Sequence, residues 1–226
     1  MGKALADTFP AARTVFDEVD AALSQKLSTL MWEGPEADLT LTANAQPALM
    51  AVSMAVLAVL QAEHGVTVAS TAKFVGGHSL GEYSALAAAG TFSLSDTARL
   101  LRIRGKAMQA ATPLGIGAMA AILGLDFADV AAVAKDAAQG DVCQAANDNS
   151  SGQVVLSGHK AAVDRACELA KARGAKRAIL LPVSAPFHCA LMQPAADAMA
   201  EALMNVTMNK PSVPLVANVV AGPISD

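Results

Sequence analysis

Gly77-His78-Ser79-Leu80-Gly81 stands between an apolar run, AKFVGG (72–77), and an alanine-rich helical pattern, with no spacer on either side. A chain that ends a strand, turns and starts a helix within so few residues belongs to a sheet covered by helices, an α/β architecture. The spacing fits G-x-S-x-G, in which the serine occupies a strained strand-to-helix turn and flanking glycines allow close backbone approach. Ser79 is then an exposed nucleophile beside the N-terminus of a helix spanning 80–89. The Leu80 N–H, one residue on, is the expected oxyanion donor. The competing reading is an ordinary N-cap serine.

The remaining grammar sets the fold. Residues 3–30 show helical apolar spacing with a break expected near Ser24, and 32–39 reads as a loop. The run 47–60 is shorter than the roughly 20 residues of a bilayer span. It reads as a buried core helix, with Pro47 in its first turn and Gly65 past its end. Ser93 or Ser95 caps the next helix, which runs to about Ala111. From Gly115 the order becomes strand, helix, two strands around the turn NSSG, helix, strand. That βαββαβ order is the ferredoxin-like arrangement. The expected organisation is therefore a large α/β subdomain with a parallel sheet, residues 1–113 and 184–226, and an inserted small subdomain at 114–183. Outside the insert only two strands are legible, AKFVGG and SVPLVANVV, fewer than a doubly covered sheet needs.

Composition narrows the function. The formal charge of -4 offers no general attraction to nucleic acid or an anionic membrane. Cys143, Cys167 and Cys189 are widely spaced, with no metal-ligand pairing and an odd count. No metal or cofactor is expected, and a reducing cytoplasm is. The first residues, MGKALADTFPAARTVF, lack the apolar core of a signal peptide.

A serine nucleophile needs a base. His64 lies at a helix end, His159 starts a helix of the insert, and His78 adjoins the serine too closely. His188, in PVSAPFHCALMQPAADAM, enters a helix from a proline-broken loop; it is either the base or a helix-start residue. No Asp or Glu is placed to orient it, so a backbone carbonyl is the alternative. Arg102 falls with Arg99 and Lys106 on an expected solvated face. Arg104 has Leu100, Leu101, Ala107 and Met108 at helical spacing and so projects from the apolar face. It needs a carboxylate or phosphate partner, and its fork suits a carboxylate, either internal or on an anionic substrate. Lys160, Arg165, Lys171, Arg173, Lys176 and Arg177 form a basic run, suited to an acidic protein partner or to plain solvation.

GHSLGEYSALAAAG, RGKAMQ, GAMAAILGL, NDNSSGQVVLSGH and PVSAPFHCALMQPAA, in this order, resemble the malonyl-CoA:acyl-carrier-protein transacylases of type II fatty acid synthesis. The resemblance implies an α/β-hydrolase-like large subdomain with the ferredoxin-like insert. It implies a malonyl transfer from malonyl-CoA to the phosphopantetheine thiol of acyl carrier protein. Ser79 becomes the acyl carrier and His188 the base, its ring fixed by a carbonyl. Arg104 becomes the ligand of the malonyl carboxylate. Gln46, Met108 and Phe187 are implied to line the site, and Asn149 to meet the pantetheine arm or the carrier. A monomer is expected. The family's N-terminal Gly-Gln-Gly-Ser-Gln strand-loop and its C-terminal segment have no counterpart here, so one oxyanion donor is expected to be missing and turnover to be low. The rival expectations are an esterase or lipase of the α/β-hydrolase class, and a non-catalytic module that binds carrier protein.

Overall fold

The computed structural model describes residues 1–113, 115–183 and 185–225. The chain divides into two compact units, Met1–Lys106 with Met199–Asp226, and Ala107–Ala198. The second unit is wider than the expected 114–183. Met108, Ala185, Met192 and Ala195 bury one another, and this small apolar cluster ties both flanks of the insert together.

In the first unit the N-terminal amphipathic stretch forms α1 (Lys3–Thr8), α2 (Pro10–Leu23) and α3 (Leu27–Glu33). The expected break occurs at Ser24, which adopts a left-handed conformation with φ 48°. Asp20 makes the break durable. Its buried carboxylate accepts from the Ser28 N–H at 2.8 Å and the Ser28 hydroxyl at 2.7 Å, satisfying a free donor in the first turn of α3. A short α4 (Glu36–Thr40) lies inside the segment expected to be a loop.

Helix α5 (Thr42–His64) begins earlier than expected, so Pro47 lies beyond its first turn. At 23 residues it is long and apolar enough by composition to cross a membrane. Here Ala48, Met50, Ala51 and Ala55 join Phe16, Val19 and Leu27 in a core cluster, as a core helix does. A short α6 (Val68–Thr71) then leads to β1 (Val75–Gly76), α7 (Leu80–Ala88) and α8 (Leu94–Ala110). Ser93 is the cap of α8: its Oγ accepts from the Asp96 N–H at 3.0 Å and donates to the Asp96 carboxylate.

Among the described residues the sheet of this unit has three strands and is mixed, where a parallel sheet is expected. Strand β1 pairs in parallel with β6 (Leu215–Ala217), which pairs antiparallel with β7 (Gly222–Ile224). Because β1 is at the sheet edge, Phe74 and Gly76 are exposed and Val75 is only half-buried. The run AKFVGG is therefore not the buried strand that its apolar residues suggest.

The second unit is a four-stranded antiparallel sheet made of β2 (Gly117–Leu123), β3 (Cys143–Ser150), β4 (Gln153–His159) and β5 (Arg177–Leu180). Their order, β3-β4-β2-β5, is the ferredoxin-like one. Helices α9 (Phe127–Ala138) and α10 (Lys160–Ala172) bury Val130, Val133, Val163 and Ala166 against Ile122, Val154 and Leu156. The β3–β4 register shifts at two places and leaves Asn149 in a bulge at the end of β3. Asn149 is thus a strand residue rather than a turn residue, and it is exposed. The basic run is largely neutralised within the unit: Lys160, Arg165, Lys171 and Arg173 pair with Asp164, Asp141, Glu168 and Asp136. That pairing favours the solvated-face reading of the run.

The residue after Arg104 fixes how α8 meets α5. A Cβ on Gly105 would lie 2.6 Å from both the Ala43 Cα and the Thr42 carbonyl oxygen. Backbone cannot yield as a flexible side chain can. Gly105→Ala is expected to cost about 1–3 kcal/mol through overpacking. Urea denaturation of the two chains side by side measures it.

Candidate active site

The serine turn is built by contact between backbones. A Cβ at Gly77 would lie 2.1 Å from the Gly81 carbonyl oxygen, so any other residue there opens the turn. Gly81 has open space where a Cβ would point, so its side of the contact is backbone alone. Between them Ser79 adopts φ 55° and ψ −108°, outside the regions an L-residue prefers. Such a residue typically carries about 1–3 kcal/mol of strain and persists only where its surroundings over-determine it. An N-cap serine has extended backbone and its side chain accepts from the first helical turn. Ser79 does neither, for its side chain makes no capping bond to α7. The capping alternative fails on geometry.

Asn218 and Arg104 hold Ser79 and its turn. The Asn218 Oδ1 accepts from the Ser79 N–H at 2.7 Å. The Asn218 Nδ2 donates to the Gly77 carbonyl at 2.8 Å. The Arg104 Nη2 donates to the Ser79 Oγ at 2.9 Å. The Gly81 and Glu82 N–H groups bond back to the His78 and Ser79 carbonyls. Among the described residues none accepts from the Leu80 N–H at this helix start.

Arg104 is positioned from two sides. Its Nη1 donates to the Gln46 Oε1 at 2.7 Å, and Gln46 is in turn held by its amide to the Thr42 hydroxyl at 2.8 Å. Its guanidinium carbon lies 5.7 Å from the centre of the Tyr83 ring, within cation–π range. Burial pulls the Arg104 guanidinium below its usual range, while Tyr83 and Glu82 oppose that shift. Burial likewise raises the Tyr83 phenol, against the nearby Arg104 charge. Arg102 departs from expectation. It is half-buried, donates to the Asn44 Oδ1 at 2.6 Å, and burial lowers its pKa too. Both arginines therefore reach α5, two residues apart on each helix.

Ser79, Leu80, Arg104 and Gln46 thus come together in the first unit. In the second unit, Phe187 packs on the buried cluster that contains Met108, and Asn149 stands apart on β3. His188 is exposed and, like Ser79, has positive φ, at 58°. Its loop is anchored by the Ala190 N–H, which donates to the Gln144 Oε1 at 2.6 Å, and by Pro186 packed against the backbone of Gly117. His159 accepts from the Val142 N–H through Nδ1 at 3.0 Å, a structural bond. Sequence reasoning missed Asn218 and Tyr83, whose roles depend on contacts that no local motif announces. Among the described residues, no three His, Cys, Asp or Glu side chains gather as metal ligands do.

The comparisons with known proteins decide the lineage. The model of the acyl transferase domain matches residues 1–225. The chain belongs to the acyl transferase domain family. The malonyl CoA-acyl carrier protein transacylase of Escherichia coli K12 is 50% identical over 215 residues, covering 95% of this chain and 68% of that protein. The crystal structure of the acyl-carrier-protein-S-malonyltransferase from Bartonella henselae matches with a TM-score of 0.97 and 62% identity, over all of this chain and 72% of that one. A malonyl-transacylase in complex with its type II PKS acyl-carrier protein matches with a TM-score of 0.95 and 43% identity, again over all of this chain and 72% of that one. These family members share the α/β fold described above.

The glycine contact gives a direct test of the turn. Gly77→Ala is expected to abolish labelling of Ser79 by a small sulfonyl fluoride and to cost about 1–3 kcal/mol of stability. Intact-mass detection of the adduct and chemical denaturation read the two effects. Labelling at the unsubstituted rate would show that the turn tolerates a Cβ.

Proposed function

We propose that this chain transfers malonyl groups from malonyl-CoA to the phosphopantetheine thiol of acyl carrier protein, through an acyl-serine, in fatty acid biosynthesis. The observation that carries the reading is the Arg104 Nη2 standing 2.9 Å from the Ser79 Oγ. A carboxylate held by that fork would sit close to a carbonyl carbon attacked by the serine, so a short diacid, with two carbon–carbon bonds of about 1.5 Å between the two groups, suits the site. A three-carbon diacid has that spacing. A neutral ester offers no anionic partner to this half-buried cation, which argues against the esterase alternative.

In this reading Ser79 Oγ attacks the thioester carbonyl and gives its proton to His188. The Leu80 N–H stabilises the oxyanion. The tetrahedral intermediate collapses, the carbon–sulfur bond breaks, and the proton passes from His188 to the CoA thiolate. The carrier thiol then attacks the malonyl ester by the same steps in reverse, a ping-pong cycle. Gln46 holds Arg104 in place. Met108 and Phe187 are proposed to shape the acyl pocket, and Asn149 to meet the pantetheine arm or the carrier. The reaction as written uses no metal or cofactor. The relatives' printed names support malonyl-CoA and acyl carrier protein as the two partners. Cys143, Cys167 and Cys189 are free thiols, which suits a reducing cytoplasm.

Arg104→Ala is expected to lower the malonyl-over-acetyl preference of Ser79 acylation by roughly 100-fold or more, from two charge-assisted bonds of about 1.5–3 kcal/mol each. Ser79→Ala should remove the malonyl adduct altogether. Intact mass after incubation with malonyl-CoA or acetyl-CoA reads both. Unchanged selectivity would refute the role of Arg104, and a persisting adduct would move the nucleophile elsewhere.

A further inference from the structure

We propose that Asn218 is a positioning residue for the nucleophile, the group that holds the Ser79 turn in its reactive shape. The proposal rests on Ser79 being the nucleophile. Asn218 opens the turn between β6 and β7, and three of its polar atoms are spent on the serine turn. Its Oδ1 accepts from the Ser79 N–H at 2.7 Å, its Nδ2 donates to the Gly77 carbonyl at 2.8 Å, and its own backbone N–H donates to the Glu82 Oε1 at 2.7 Å. The three contacts bracket the strained residue, one before it, one at it and one in the first turn of α7.

The chemistry of these contacts selects an amide. The turn presents a donor at Ser79 and an acceptor at Gly77, which fixes which end of the side-chain amide is oxygen. A carboxylate supplies acceptors only and would face the Gly77 carbonyl with like charge. An aliphatic side chain supplies neither. The backbone bond to Glu82 matters as much, because it fixes the Asn218 main chain against α7 before the amide reaches the turn. Glu82 itself lies in the first turn of that helix, where its charge is favoured by the helix dipole.

Two consequences for reactivity follow. The strain at φ 55° has no local remedy, since Ser79 makes no capping bond to its own helix. The bonds to Asn218 offset that strain, and their loss lets the turn relax toward ordinary backbone angles. The Ser79 Oγ then leaves its place opposite Arg104 and beside the Leu80 N–H. In addition, Asn218 consumes the Ser79 N–H, so this donor cannot draw the oxyanion away from Leu80. Misplacement of a reacting atom by about 1 Å costs on the order of 100-fold in rate.

The test uses two reagents on the same chains: malonyl-CoA, and phenylmethanesulfonyl fluoride, which carries no carboxylate for Arg104. With Asn218→Ala the maximal rate of Ser79 acylation is expected to fall by roughly 10- to 100-fold while the half-saturating malonyl-CoA concentration stays unchanged, and sulfonylation should slow in parallel. Asn218→Asp keeps the acceptor and loses the donor, and should fall between the two. Circular dichroism establishes that each variant is folded. Wild-type rates with both reagents in folded Asn218→Ala would overturn the proposal, as would a raised half-saturating concentration with an unchanged maximal rate. Should Asn218→Ala not fold, Asn218→Asp decides: a slowed rate supports the proposal and an unchanged rate overturns it. A wild-type chain that is sulfonylated at Ser79 but never malonylated refutes the transferase reading alone, and the sulfonylation arm still tests Asn218.

Discussion

The first unit is organised by a backbone that reverses direction through contact with itself. Gly77 and Gly81 approach so closely that no Cβ fits at Gly77, and the residue midway between them is forced to positive φ. Everything chemical in this unit is arranged around that reversal. The strand before it brings β6 alongside, and Asn218 follows directly after β6. The helix after it carries Glu82 and Tyr83, which face Asn218 and Arg104. A turn of this kind stores strain of a few kcal/mol, and a marginally stable chain keeps it only where several independent contacts oppose relaxation.

Electrostatics sets the second level. A buried guanidinium is costly unless its donors are satisfied. Arg104 meets this by bonding a neutral amide oxygen and a neutral hydroxyl, while an aromatic face lies alongside. None of these partners carries a full negative charge at neutral pH, so the cation is solvated by dipoles but not neutralised. That arrangement differs from the ion pairs within α10, where Lys160 and Lys171 each have their own carboxylate. A cation held by dipoles retains an attraction for an incoming anion that a closed ion pair has already spent.

Much of this was legible in the sequence, and the reasons are local. The G-x-S-x-G turn, the βαββαβ order of the second unit and the break at Ser24 each follow from spacing within a few residues. Arg104 was legible because a cation at an apolar helical position contradicts its neighbours. Its neighbour Arg102 misled for the converse reason: its face looked polar, yet α5 covers it through Asn44. The strand at 72–77 misled because apolar character does not reveal which strand is at an edge. Strand β7 was hidden because Gly222-Pro223-Ile224 has no strand periodicity and exists through its pairing with β6.

Asn218 is the clearest case of what a single sequence withholds. Its partners lie 136 to 141 residues away, and nothing in SVPLVANVV distinguishes a structural asparagine from a turn asparagine. The asymmetry has a physical origin. Catalytic groups must be unusual in their own surroundings, since burial, strain or a misplaced charge is what makes them reactive. Groups that hold them in place need only the right donor and acceptor at the right distance, and those are supplied by common residues brought together by the fold. The proposed nucleophile and its cation therefore announce themselves in sequence as exceptions to local rules. Asn218, bonded to the strained serine turn, obeys every local rule and becomes visible only when the chain closes on itself.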